Sequence, residues 1–225
     1  VASMFVGHYA ASFALKSIEK RASLGLLFIA VQFVDILFFS LTLGGIEKFN
    51  IVENHTESTH FQLIFMPYTH SLLSTFIWGG VTFIMVYYLR FKHMPKSKNI
   101  SIVVATAVIS HWFFDLIMHT PDLPLISDDS MKMGLSLWNN AYLSYLLEAV
   151  LLLAGLYLYM KSTSGKTVLS KIGAPLFVMF LLAVNVFNIF GPLSPNDNES
   201  SIAVTTLAAY GLFAAIAFYL DKKGV

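Results

Sequence analysis

The sequence predicts an all-α, polytopic transmembrane bundle: six spanning helices, a short N-terminal half-helix, and both termini on the cytoplasmic side. Three observations lead there. Hydrophobic residues make up 56% of the 225-residue chain and charged residues only 12%, about half the charge fraction of a soluble domain. Six apolar runs of about 18–23 residues are each long enough to cross the hydrocarbon core. The connections between those runs also alternate in sign. Lys16/Lys20/Arg21, Arg90/Lys92/Lys96/Lys98, Lys161/Lys166/Lys171 and Lys222/Lys223 are basic, whereas Glu47/Glu53/Glu57, Asp122/Asp128/Asp129 and Asp197/Glu199 are acidic. Lysine and arginine stay on the cytoplasmic side, which puts the acidic loops outside.

Each element has its own signal. Residues 4–15 are apolar but too short to span, and read as a half-helix packed inside the bundle or lying at the interface. The first span, 22–43, carries Asp35; the second, 68–90, opens on Tyr68-Thr69-His70-Ser71, where Thr69 or Ser71 is the candidate N-cap. The third, 100–119, must end before Thr120-Pro121, because the residue preceding a proline is pushed out of the helical region. The fourth, 141–160, holds Glu148. The fifth, 172–191, holds Asn185 and Asn188, a turn apart and suited to interhelical hydrogen bonds. The sixth, 201–220, returns the chain to the cytoplasmic side. No repeat, low-complexity tract or second domain interrupts this, so residues 1–225 read as one transmembrane domain whose partner is the lipid bilayer. A net charge of +1 argues against a nucleic-acid partner, and the absence of cysteine excludes disulfides, thiolate metal sites and a cysteine nucleophile.

The chemistry gathers in the third span, His111-Trp112-Phe113-Phe114-Asp115-Leu116-Ile117-Met118-His119. Steps of four residues return to one helix face, so the three polar heads form a stripe. An ionised carboxylate at mid-membrane costs roughly 2.5–3.5 kcal/mol on insertion scales, and is kept where a metal, a proton or a side chain pairs with it. Counting about 1.5 Å per residue, Asp35, Asp115 and His111, His70 and Glu148 fall at similar depths in the outer half of the bilayer. His111 and His119 are two turns apart, about 12 Å of rise, so one of them with Asp115, joined by His70 and Asp35, makes a nitrogen/oxygen set. With no sulfur, such a set suits zinc or another divalent first-row ion. Glu148 is the candidate general acid or base. The competing interpretation is structural: imidazoles as packing residues, His119 as an interfacial residue at the helix end, and Asp35 and Glu148 as partners of a charged histidine. His55, His60 and His93 read as exposed loop residues.

Gly7-His8, Asp35, Thr69-His70-Ser71, and Ser110-His111 with Asp115 together resemble the predicted membrane-bound metal-dependent hydrolases of bacterial inner membranes. The resemblance implies that His8, Asp35, His70, His111 and Asp115 are metal ligands. The chain is also similar to a group of uncharacterised bacterial membrane proteins through Ser110-His111-Trp112, His119-Thr120-Pro121-Asp122-Leu123-Pro124-Leu125 and Gly134-Leu135-Ser136-Leu137-Trp138-Asn139. It departs from the hydrolase pattern at two points. Gln32-Phe33-Val34-Asp35 keeps one acid of a Pro-Asp-x-Asp element, and Phe65-Met66-Pro67-Tyr68 replaces a His-Arg-Gly run. Counted from Lys16, His8 lies roughly 12 Å into the membrane, level with His111, and so joins the candidate ligands.

The function expected is an integral-membrane hydrolase of the inner membrane. A zinc-like ion on His8, Asp35, His70, His111, Asp115 or His119, with Asp115 and Glu148 in catalysis, acts on an ester or phosphoester, with a lipidic substrate expected. The alternatives are a small proton- or cation-handling transporter or channel using the same layer, and a non-catalytic membrane protein. The spans have no glycine- or proline-broken helix pair of the kind transporters use, which favours the enzyme.

Overall fold

The structure, a computed structural model, describes residues 6–91, 97–163 and 168–224. The basic positions Lys92, Lys96 and Lys166, the exposed-loop expectation for His93, and residues 4 and 5 of the expected half-helix lie outside the described residues. The rest is a helical bundle: α1 (Tyr9–Ile18), α2 (Leu24–Val31), α3 (Phe33–Leu43), α4 (Leu72–Met85), α5 (Ser97–Met118), α6 (Ala141–Ser162), α7 (Val168–Phe190) and α8 (Glu199–Gly224). α4 runs on as a π-helical stretch, Val86–Phe91.

Among the described residues, four helices are individually long and apolar enough to cross a membrane: α5, α6, α7 from Ile172, and α8 to Asp221. That marks a membrane protein. The first expected span is broken into α2 and α3, bent by 54° at Gln32, and the two pass the length test only as a pair. Gln32 carries φ −100° and ψ 7°, the sparsely populated bridge between helix and extended backbone. No glycine or proline makes this break, so the sequence argument against a broken helix misses it. The second expected span is the shorter helix Leu72–Tyr88.

The half-helix is α1, and it is interior. Tyr9 and Phe13 are fully buried; Tyr9 stacks on Phe28 at 4.2 Å. α1 lies against α6, α2 and α5. Gly155 permits the α6 approach: a Cβ there would stand 2.5 Å from the Ala10 carbonyl oxygen. Its C-terminal end is tied down by Lys16, only 2% exposed. Lys16 donates to the Lys20 and Ala22 carbonyls and pairs with Asp221 of α8 at 2.7 Å. The other Asp221 oxygen accepts from Leu24 N–H at the start of α2. Lys16 is therefore a buried structural cation, not one of the free basic residues of a cytoplasmic loop.

The α3–α4 and α5–α6 connections hold β structure that the all-α expectation lacks. β1 (Lys48–Ile51) and β2 (Phe61–Phe65) form one antiparallel ribbon, and β3 (Leu123–Pro124) and β4 (Lys132–Met133) a second. Phe49 of β1 packs on Phe38, Phe39 and Phe61. The chain after β4 doubles back over the end of α5, where Leu135 and Ser136 donate to the Leu116 and His119 carbonyls at 2.8 and 2.7 Å. α5 ends at Met118, one residue from the limit set by Thr120-Pro121. The Leu116 carbonyl in its last turn and the His119 carbonyl just beyond it are thereby satisfied by the returning chain instead of by solvent.

Candidate metal centre

Four chain segments, around α1, α3, α4 and α5, bring six side chains to one point. His8 comes from the turn before α1, and Asp35 from the first turn of α3. His70 immediately precedes the Ser71 N-cap of α4; His111 and Asp115 lie on α5, with His119 just past its end. All four imidazoles and Asp115 are 1–3% exposed. Asp115 is the hub. His8 and His119 approach its Oδ1 at 3.3 and 3.6 Å, while His111 and His70 approach Oδ2 at 3.1 and 3.8 Å. Asp35 Oδ1 stands 3.2 Å from His70 and 3.4 Å from His111. In every case the imidazole atom is Nε2.

The spacing fits a metal. Two ligands each about 2.0–2.1 Å from a tetrahedral ion stand roughly 3.3 Å apart, and the gaps above cluster around that value. One ligand atom from each of His8, His111 and Asp115 lies within 4.8 Å of the others, and the same holds for Asp35, His70 and His111. His119 approaches Asp115 but joins neither triplet. His111 Nε2 and Asp115 Oδ2 are close yet form no hydrogen bond, as expected where two lone pairs face a common point instead of each other. Two carboxylates buried with four imidazoles require about two positive charges. A divalent cation or two imidazolium protons supply them, so the buried groups could hold a metal ion.

The far nitrogens make the stronger argument. His111 Nδ1 sits 2.7 Å from the Val31 carbonyl, an acceptor that the α2–α3 break leaves available. A carbonyl can only accept, so Nδ1 carries the proton and Nε2 turns its lone pair to the centre. His119 Nδ1 is 2.8 Å from Asp122 Oδ1, with the same consequence. For His70 the anchor is a relay. Glu47 accepts from Thr69 Oγ1–H at 2.6 Å, and from the N–H groups of Tyr68 and Thr69 at 2.9 and 3.1 Å. The Thr69 hydroxyl, its proton committed to Glu47, accepts from His70 Nδ1 at 2.8 Å. Burial pushes the Glu47 carboxyl above its ordinary value, against the opposing pull of Thr69 and the neighbouring groups. Carboxylate, hydroxyl or carbonyl behind a ligating imidazole is the outer-shell arrangement of metal-binding histidines.

Asp35 is held on its outer side by Tyr210 of α8, whose hydroxyl donates to Oδ2 at 2.6 Å. Trp138 lies over His119, ring centroids 4.0 Å apart. Glu148, fully buried on α6, accepts from Gly7 N–H at 3.0 Å, one residue from His8. Its position steadies the turn that presents His8. Asn185 is fully buried, and neither of its side-chain polar atoms finds a hydrogen-bond partner among the described residues, so the interhelical bond expected of it is not made.

The sequence argument did not reach Glu47, Asp122 or Tyr210. The first two were read as loop acids marking the outer face. The available signal was Glu47 preceding a strand-like Lys48-Phe49-Asn50-Ile51, and Asp122 three residues after His119. No protein-family model, curated protein or solved structure matches this chain.

Proposed function

We propose that this protein is an integral-membrane, metal-dependent hydrolase whose centre holds one zinc-like ion and cleaves an ester or phosphoester borne by a lipid. The observation that carries the proposal is the set of three imidazoles, His70, His111 and His119, each anchored at Nδ1 and each presenting Nε2 to the carboxylates. A packing histidine has no need of that arrangement. The all-nitrogen-and-oxygen donor set suits zinc, and the similarity of the Gly7-His8, Asp35, Thr69-His70-Ser71 and Ser110-His111…Asp115 motifs to predicted membrane-bound metal-dependent hydrolases supports the same chemistry. The bound ion supplies Lewis acidity and lowers the pKa of water towards about 7.

The protein's own groups do the rest in this proposal. Asp115 and Asp35 balance the charge, the apolar bundle limits water, and Glu148 carries the proton between substrate and solvent. The bundle crosses the bacterial inner membrane six times with both termini cytoplasmic, counting the bent α2–α3 pair and α4 as crossings; the alternation of basic and acidic connections supports that orientation. In that orientation the centre lies on the side of the outer leaflet, from which a lipid head group arrives.

Metal analysis of the purified chain tests this reading. About one equivalent of zinc per chain is expected, lost in the His111→Ala/Asp115→Ala double variant, together with chelator-sensitive hydrolysis of lipid esters or phosphoesters. Metal-free protein that retains full thermal stability would sink it. The break at Gln32, with Asp35 in the first turn after it, is the observation that favours a second reading, cation or proton passage. Proton or cation flux into liposomes that depends on Asp35, without hydrolysis, would establish that alternative.

A further inference from the structure

We infer that the apolar groove between α2 and α8 seats the hydrocarbon chain of the substrate, making the protein selective for amphiphiles with a long tail; this rests on the hydrolase reading. The groove has a volume of about 590 Å³ and is walled by Gly25, Leu26 and Ile29 of α2, Met85 of α4, and Gly211 and Ala215 of α8. The polar side chain on its lining is Ser23, at the lower end. Such a wall offers a head group nothing to bind, while its volume lies within the ordinary range of ligand sites. Ile29 and Met85 are 44% and 49% exposed, which leaves the groove open sideways to lipid.

Its position is the second argument. Ile29 lies two residues before Val31, whose carbonyl orients His111. Gly211 follows Tyr210, whose hydroxyl holds Asp35. Both walls are therefore built on the same two helices that orient His111 and Asp35, within two residues along the chain of those contacts. From Ser23 to Val31 is about 12 Å along α2, and this stretch runs from the centre towards the cytoplasmic edge. A lipid whose head reaches the centre from the outer leaflet sends its tail that way. Transfer of a tail from bilayer to groove is nearly neutral in apolar terms, so selection comes from packing against a shaped wall. The wall is cut for it: a Cβ at Gly211 would meet no atom within 4 Å, whereas one at Gly25, below, would clash with Phe218 and Ala214. α2 and α8 touch at the bottom of the groove and leave room at its upper end.

The test uses the full chain in nanodiscs doped with a phosphatidylcholine carrying a diazirine at the end of one acyl chain, together with p-nitrophenyl esters and phosphodiesters bearing butyl or hexadecyl tails. Photolabel should concentrate on α2 and α8. Gly211→Trp and Ala215→Phe should each cut it by about tenfold, the scale of overpacking a filled site, and should erase the preference for the hexadecyl probe with metal content unchanged. Gly80→Trp, on α4 with equally open surroundings, should do neither. Label spread evenly over the lipid-facing helices overturns the inference. Chelator-sensitive hydrolysis that ignores tail length and both groove variants also overturns it, but leaves the metal-centre reading standing. Labelled groove in a protein with neither metal nor turnover means a resident lipid, and both readings then fall.

Discussion

At the scale of single residues, the centre is set by which nitrogen of each imidazole carries a proton. The Glu47–Thr69–His70 relay makes this testable. Glu47→Gln keeps size and shape, but the amide nitrogen would face the Thr69 hydroxyl. Thr69 then accepts from Gln and donates to His70 Nδ1, which forces the His70 proton onto Nε2, towards Asp35. Metal affinity should drop about 10–100-fold, as for other outer-shell changes, with thermal stability nearly preserved; unchanged affinity by competitive chelator titration would break the relay argument. Asp115→Asn should cost more metal than His119→Ala, because Asp115 touches four imidazoles and His119 one carboxylate of the pair. Glu148→Gln retains an acceptor for Gly7 N–H, so loss of turnover with full metal content is expected from the proton-carrier role. The six ligand candidates were legible because an ionisable group in an apolar run is conspicuous. Glu47 and Asp122 were not, because an acid in a polar loop looks solvated until the fold buries it.

At the scale of elements, the long helices were readable from length and hydropathy alone. The break at Gln32 was not: no residue type there dictates it. The cause lies in what the break provides, a free Val31 carbonyl for His111 and a first-turn position for Asp35. The ribbons escaped notice for a similar reason. Their strands span two to five residues, and their register depends on packing over the helix ends. The interior α1 depends on Gly155, so Gly155→Val should push α1 off α6. That moves His8 away from Asp115 and Gly7 away from Glu148. Overpacking of this kind costs typically 1–3 kcal/mol, to be read from the melting temperature alongside reduced metal content. Gly80→Val, with open space around it, is the control.

For the molecule as a whole, the proposed orientation rests on charge alternation, and the chain is convenient for testing it because it has no cysteine. A single cysteine at Ser127 should react with a membrane-impermeant maleimide added to intact cells, and one at Lys20 only after lysis; the opposite pattern would invert the proposed topology. The Lys16–Asp221 pair has a different kind of consequence. Removing one partner of a buried ion pair costs about 3–5 kcal/mol, while replacing both with apolar residues is often neutral. Asp221→Ala should therefore be severe and Lys16→Met/Asp221→Leu mild. During synthesis the ammonium emerges 205 positions ahead of its carboxylate. Until the ribosome has made α8, α1 holds an uncompensated charge and has every reason to stay at the water's edge. Assembly of the centre, which needs α1 inside, is thereby deferred until α8 has been made.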